Sequence, residues 1–353
     1  MEEGIIMKKR LLALLMGAVF VLGGCQSSGG SASSSAASAS TSTETAENKD
    51  LEDFTVVLDW YPNAVHSYIY TAIEKGYYAE EGLNVVVQFP SNTTDPITLT
   101  AAGKADAGIY YMHDTILANA RNEVPVKAIG AIIQEPVDIY LSLSESGITG
   151  PQDLAGKTLG HGGTELSEAI TKYLVEQAGG SIDDVNMIDV GFDLMSSLTT
   201  GNVDVTYGCV VNHEVPQLEE YGFDVDYFFP NEYGVPDYYG HVLVTGETQL
   251  AEEKDKLAAF LRASAKGFED MKNNPEEALS ILLNNQNEEN FPLSEEVEKK
   301  SMDILLPMME HEDAPFLSQK EEVWQDGIDW LTECGVIEEG SVTPSDVMEV
   351  IEY

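Results

Sequence analysis

Two stretches of the chain echo one another. "LTAAGKADAGIYY", from Leu99, and "LTTGNVDVTYG", from Leu198, both read as a helix end, a Gly, a short polar step, an Asp and a strand finishing at Tyr. A repeat met twice, about 100 residues apart, fits two lobes of similar βα design rather than a solenoid. Gly103 and Gly201 are expected to supply left-handed helix C-caps, and Asp106 and Asp204 to be turn acids. Tyr110 and Tyr207 are then expected at the carboxyl ends of parallel strands, where open α/β sheets bind ligands. Around this echo, apolar runs ("FTVVLD", "NVVVQF", "VKAIGAII", "KTLGHG", "VNMIDV") alternate with helical patterns over His66 to Lys75, Ile97 to Ala102, Glu165 to Gln177 and Glu214 to Tyr221. Such alternation predicts an α/β fold with mainly parallel sheets. From about Ala251 the pattern is helical, with Trp324 and Trp330 on apolar faces at helical spacing.

The ~300 residues after the first 50 exceed what one core usually serves, so two lobes are the expectation. Gly147, Gly150 and Pro151 break structure, and the chain is read as entering lobe two near Ser144 and returning near Gly240 to Gln249. The division is 51–143 and 246–353 for lobe one with the C-terminal helices, and 144–245 for lobe two. Two crossings make a hinge about which the lobes can close.

The first 50 residues read as targeting. Lys8-Lys9-Arg10 is a positive n-region and Leu11 to Leu22 an apolar h-region too short to span a membrane. Met7 is read as the start of translation. "VLGGC" resembles the lipobox of bacterial lipoproteins, which implies cleavage after residue 24 and a diacylglycerol anchor on Cys25. Residues 25–50 hold no aromatic or large aliphatic side chain, being mostly Ser, Gly, Ala and Thr with a few charges, and are read as a disordered tether spanning about 25–30 Å. The mature chain is then expected at the extracytoplasmic face of the cell membrane, attached only through lipid.

Lys and Arg number 18 against 61 Asp and Glu, a balance that argues against nucleic acid or an anionic membrane surface as partner. Cys209 and Cys334 lack metal-type spacing and are read as buried free thiols, a disulfide being the alternative. No nucleophile, metal cluster or phosphate loop stands out, so neither a metal, a cofactor nor a catalytic residue is assigned.

"LDWYPNAVHSYIYTAIEKGYYAEEGLNV", "AAGKADAGI", "DLAGKTLG" and "FLRASAKGFEDMKNNPEEAL" resemble the thiamine-pyrimidine family. That family includes lipid-anchored substrate-binding proteins of bacterial ABC importers and the fungal synthase that makes the hydroxymethylpyrimidine. Trp60, Pro62 and His66 carry its most specific pattern. The resemblance implies a two-lobe periplasmic-binding-protein fold (type II), permease subunits as partners, and an aminopyrimidine ligand. The synthase's Cys-rich motif is absent near "EYGVPDYYGHVLV". Its cofactor-binding Lys and sacrificial His align here with Tyr110 and Asp114, so the chain resembles the transport branch and is not expected to be an enzyme. Riboflavin or a sulfonate is the rival ligand.

A flat polar ring needs aromatic faces to stack on and a carboxylate or amide to meet its ring nitrogen and amino group. The candidates are Trp60, Asn63 and His66 after the first strand, Tyr110 rather than Tyr111 at the next strand end, and Glu165 at a Gly-rich turn into a helix. Asn212 and Glu214 follow "YGCVV", with Glu214 the favoured carboxylate, and Tyr239 on the return crossing is the second stacking wall. Asp59 is read as a helix cap.

Overall fold

The computed structural model describes residues 51–122, 124–286 and 292–353. The expected signal peptide, Cys25 and tether lie outside them. Among the described residues no helix is long and apolar enough to cross a membrane.

Two five-stranded sheets form the frame. The first comprises β1 (Glu52–Val57), β2 (Leu83–Gln88), β3 (Ala107–Tyr110) and β4 (Val126–Ala131). The second comprises β5 (Asp138–Leu143), β6 (Thr158–His161), β7 (Asn186–Asp189), β8 (Val205–Val210) and β9 (Val225–Phe228). The last strand, β10 (Val242–Gly246), goes back to the first sheet. The orders are β2–β1–β3–β10–β4 and β7–β6–β8–β5–β9. In each, one strand delivered from the other lobe runs antiparallel to both neighbours, β10 in the first and β5 in the second. The two-lobe α/β architecture implied by the resemblance is therefore present, one antiparallel strand in each sheet.

The echo in sequence is an echo in space. Gly103 and Gly201 have φ of 64° and 73°, the left-handed region that Gly occupies without a Cβ penalty. After each, the Asp makes the same pair of contacts to the neighbouring parallel strand. Asp106 accepts the Thr55 N–H at 2.6 Å and donates its own N–H to the Thr55 carbonyl; Asp204 does both with Thr158, the carboxylate contact being 2.8 Å. These acids tie a helix end to a strand start, as the turn reading expects.

The chain crosses between sheets at 132–137 and 229–241, which moves both expected boundaries by one strand. Residues 138–143, assigned by sequence to lobe one, are β5 of the second sheet; Val242–Thr245, assigned to lobe two, belong to β10 of the first. Gly147 and Pro151 follow β5, so they mark its exit and not the crossing. The two crossings are hydrogen-bonded to each other: Ile132 N–H reaches the His241 carbonyl at 2.8 Å, and Gly240 N–H the Ile133 carbonyl at 3.1 Å.

Helix Lys254–Asn273 buries Leu257, Phe260, Leu261, Ser264, Gly267, Phe268 and Met271 at three- and four-residue steps, the stripe of a helix with one face inward. It lies on Ser67–Glu74 so closely that a Cβ at Gly267 would collide with the Tyr68 carbonyl. Trp324 and Trp330, on helix Glu321–Glu333, are buried in an apolar cluster that also takes Tyr140, Leu159 and Ile170 from the second lobe. Cys209 is a buried free thiol; Cys334 is free and half-buried.

Candidate functional site

At the end of β1 the chain turns through Asp59-Trp60-Tyr61-Pro62 into a short 3₁₀ turn, Ala64–His66, capped by Asn63. The Asn63 Oδ1 accepts the Val65 N–H at 3.0 Å, so Asn63 does the capping expected of Asp59. The Asn63 N–H donates to His66 Nδ1 at 3.2 Å. That leaves Nε2 as the protonated nitrogen of His66, and it donates to Asp59 Oδ1 at 2.9 Å. On the other oxygen, Asp59 meets His241 Nε2 at 3.2 Å and the Tyr111 hydroxyl at 3.4 Å. Burial alone would raise the Asp59 carboxyl, but the charge of His241 and hydrogen bonds from His241 and His66 outweigh it and hold the group well below the usual carboxylate range. Burial likewise works to lower His241, and the adjacent Asp59 reverses this, so His241 sits above an ordinary imidazole.

Asp59 faces a small cavity between the sheets, about 60 Å³ in volume. Aromatic walls come from Trp60, Tyr111, Tyr207 and Tyr238. Tyr207 is held by stacking on Tyr140, centroids 4.6 Å apart. Two further carboxyls line the space. Asp114 stands in the first turn of helix Met112–Asn122, and Asp138 opens β5 in the other lobe, where the Tyr238 hydroxyl donates to its Oδ2 at 3.3 Å. Burial pushes Asp114 up to about 7, the charges of Asp138 and Glu165 adding to the effect and hydrogen bonding with Thr164 opposing it. Burial pushes Asp138 up to about 6, with His241 and the Tyr238 hydroxyl opposing. His113 is 2% exposed, lines the same space, and is held down at about 3 by burial, hence neutral. Neither Lys nor Arg is among the lining residues.

The cavity gathers some of the residues expected from sequence and not others. Trp60 lines it. Asn63, Asn212 and Glu214 line an adjoining pocket that shares Asp59, Trp60, Tyr111 and Gly208 with it. There Glu214 is committed to its own turn, Oε2 accepting the Val210 N–H at 2.7 Å and Oε1 meeting His213 at 3.1 Å. Asn212 donates to Ser301 Oγ at 2.9 Å. His66 is fully buried behind Asp59 and lines neither space.

Three of the expected residues lie away from the cavity. Tyr110 does not reach the cavity; as the last residue of β3 it points into the core, and strand alternation brings Tyr111 to the cavity instead. Tyr239 is buried in the core, its hydroxyl accepting the Lys320 N–H at 2.8 Å, and its neighbour Tyr238 faces the cavity by the same alternation. Glu165 points to solvent and meets Arg121 at 3.3 Å on the rim, while Thr164, Leu166 and Ser167 from the same helix start line the cavity. Asp138 carried no sequence signal. Asp114 was visible only as the position aligned with the synthase His.

On the far side of Trp60 the lobes are clasped by a second polar group. His213 Nδ1 donates to Glu214 and its Nε2 to Glu298 Oε1 at 3.2 Å, and Glu298 Oε2 accepts the Ala64 N–H at 2.7 Å. Burial opposes the charge on His213, but the two glutamates carry it up to about 10.

Residues 63–278 match the model of the family described as "NMT1/THI5 like". The chain is 46% identical over 322 residues to the formylaminopyrimidine-binding protein of Halalkalibacterium halodurans, covering 91% of this chain and 92% of that one. It is 32% identical over 171 residues to the 4-amino-5-hydroxymethyl-2-methylpyrimidine phosphate synthase THI13 of Saccharomyces cerevisiae, covering 48% of this chain and 49% of that one. Among solved structures it superposes with TM-score 0.65 and 14% identity on a Candida albicans protein, CA3427, described as having the generic periplasmic binding protein fold, over 86% of this chain and 98% of that one. With its two lobes, crossed strands and a match through most of both, the chain belongs to the NMT1/THI5-like family.

Proposed function

We propose that this is a solute-binding protein that takes an aminopyrimidine related to the thiamine precursors into the cavity between its lobes. The observation that carries this is the lining: four aromatic side chains and three carboxyls, with neither Lys nor Arg. Aromatic faces stack on a flat heteroaromatic, and carboxyls accept from its exocyclic amino group. A sulfonate would need cationic or N–H donors where Asp59, Asp114 and Asp138 stand. The similarity to the H. halodurans protein, named for formylaminopyrimidine, supports the same ligand class. The synthase chemistry finds no support at its own positions, since the residue aligned with its cofactor Lys is Tyr110, in the core.

In this reading the chain acts as the binding subunit of an ABC importer, held at the extracytoplasmic face by lipid on Cys25. Closure of the lobes on ligand is the signal a permease reads. Trp60, Tyr111, Tyr207 and Tyr238 hold the ring, Asp114 and Asp138 meet its polar edge, and Asn63, Asn212 and Glu214 shape the adjoining pocket. Mass spectrometry of small molecules released from the purified protein tests the reading, with thermal shift against formylaminopyrimidine, hydroxymethylpyrimidine, riboflavin and taurine. A released pyrimidine and stabilisation by pyrimidines are expected; stabilisation by taurine or riboflavin alone would overturn the assignment.

A further inference from the structure

We propose that Asp114 and Asp138, one from each lobe, recognise the ligand ring as a group that carries or shares a proton, so that binding from alkaline solution takes up one proton. This rests on the aminopyrimidine reading of the cavity. It begins from geometry. Asp59 is already engaged on both oxygens by His66, His241 and Tyr111. Asp114 and Asp138 have no cationic partner within salt-bridge distance among the described residues, and they line the same space from opposite lobes, one on a helix and one at the start of β5.

A second observation points to a ligand. His113 also lines the space, is 2% exposed, and its Nε2 has no hydrogen-bond partner among the described residues. A buried ring nitrogen without a partner is a costly arrangement, and a polar ligand relieves it.

Asp114 faces Asp138 and, from the neighbouring helix start, Glu165; Tyr110 and Tyr111 flank it on its own segment, and Tyr207 and Tyr238 face it from the other lobe and the return crossing. Asp138 faces His241 and Tyr238 from the return crossing, Asp59 from the end of β1, Tyr111 from the end of β3, Tyr207 and Cys209 from β8 and Glu214 from beyond it. Of these only His241 can carry positive charge, and it is paired with Asp59. With Asp114 raised to about 7 and Asp138 to about 6, the pair is poised to hold a proton near neutrality.

The proton balance follows. Above pH 8 both carboxyls are ionised and an aminopyrimidine is neutral. In the complex one proton lies between a carboxyl oxygen and a ring nitrogen, whichever atom holds it, and the second oxygen accepts from the exocyclic amino group. That proton comes from solvent, and it cancels part of the repulsion between the two acids across the cleft. In acid solution, where ring and carboxyls are all protonated, a proton must leave instead, so affinity falls on both sides of a maximum.

Calorimetry of the whole chain with formylaminopyrimidine, in buffers of different ionisation heat at pH 8.5, measures the uptake directly. The expected result is uptake approaching one proton per ligand and binding that weakens by up to about tenfold between pH 8 and pH 9. Asp114→Asn or Asp138→Asn should abolish the uptake, and loss by neither would overturn the assignment to this pair. A wild-type protein that binds the pyrimidine with no proton uptake and a flat pH profile also overturns the inference while leaving the aminopyrimidine reading intact. Absence of pyrimidine binding at every pH overturns both.

Discussion

His66 and Asp59 are seven residues apart and meet at 2.9 Å, the imidazole wholly buried behind the carboxylate that faces the cavity. His66 acts on the cavity only through Asp59. It fixes the orientation of the carboxylate, whose other oxygen is shared by His241 and Tyr111 from separate segments of the chain. The contact joins the end of β1, the helix after it and the return crossing, which ties the local turn to the junction of the lobes.

Removing the charge at this node should destabilise the fold. Asp59→Asn leaves His241 buried without its carboxylate, and breaking a buried pair from one side costs about 3–5 kcal/mol. Urea unfolding at pH 6 should show the loss. A change within 0.5 kcal/mol, about the size of an ordinary surface substitution, would mean the node carries no structural charge pairing.

The two cavity acids that lack a cationic partner should behave in the opposite way. Their folded-state pKa values, about 7 for Asp114 and about 6 for Asp138, lie above those of unfolded Asp. A raised carboxyl disfavours the folded state once pH exceeds the unfolded value near 3.9, and fully so above the folded one. Asp114→Asn should therefore raise the melting temperature of the ligand-free protein at pH 8 and have little effect at pH 4, while weakening pyrimidine binding. Lower stability at pH 8 would contradict it.

His213 gives a pH dependence of its own. Its folded pKa, raised to about 10 by Glu214 and Glu298, exceeds that of unfolded His. The stabilisation is fully present below pH 6.5 and is lost as pH rises toward 10. The difference in urea midpoint between wild type and His213→Gln should shrink over that window, and a constant difference would show that His213 is not the proton holder.

Parity decides which tyrosine matters. Tyr111→Ala and Trp60→Ala remove cavity walls and should each cost about 2 kcal/mol of binding, roughly 30-fold in affinity. Tyr110→Phe should leave affinity unchanged, since Tyr110 lies in the core. Equal losses from Tyr110→Phe and Tyr111→Ala in a titration would contradict the placement.

Much of the frame was legible. The Gly-to-Asp echo marked two equivalent helix-to-strand steps because each needs a left-handed residue and an acid to receive the next strand's N–H. Helical spacing marked the C-terminal helices and their buried Trp residues. β9 escaped notice because it is short, four residues, and β5 because its pairing in the second sheet is set by strands that come later in the chain. The cavity was half legible: Trp60 at a strand's carboxyl end was found, whereas the choices between Tyr110 and Tyr111 and between Tyr238 and Tyr239 depended on side-chain parity near a strand end. Asp138 was silent because a lone acid opening a strand reads as a solvated turn residue until the first lobe is placed over it.

Calorimetric titration of the whole chain with formylaminopyrimidine at pH 7 tests the pyrimidine assignment most directly. The account predicts one site per chain with a dissociation constant of about 1 μM or tighter, near −8 kcal/mol, and no heat from taurine. Silence from every aminopyrimidine, with a clear isotherm for an alkanesulfonate, would contradict it.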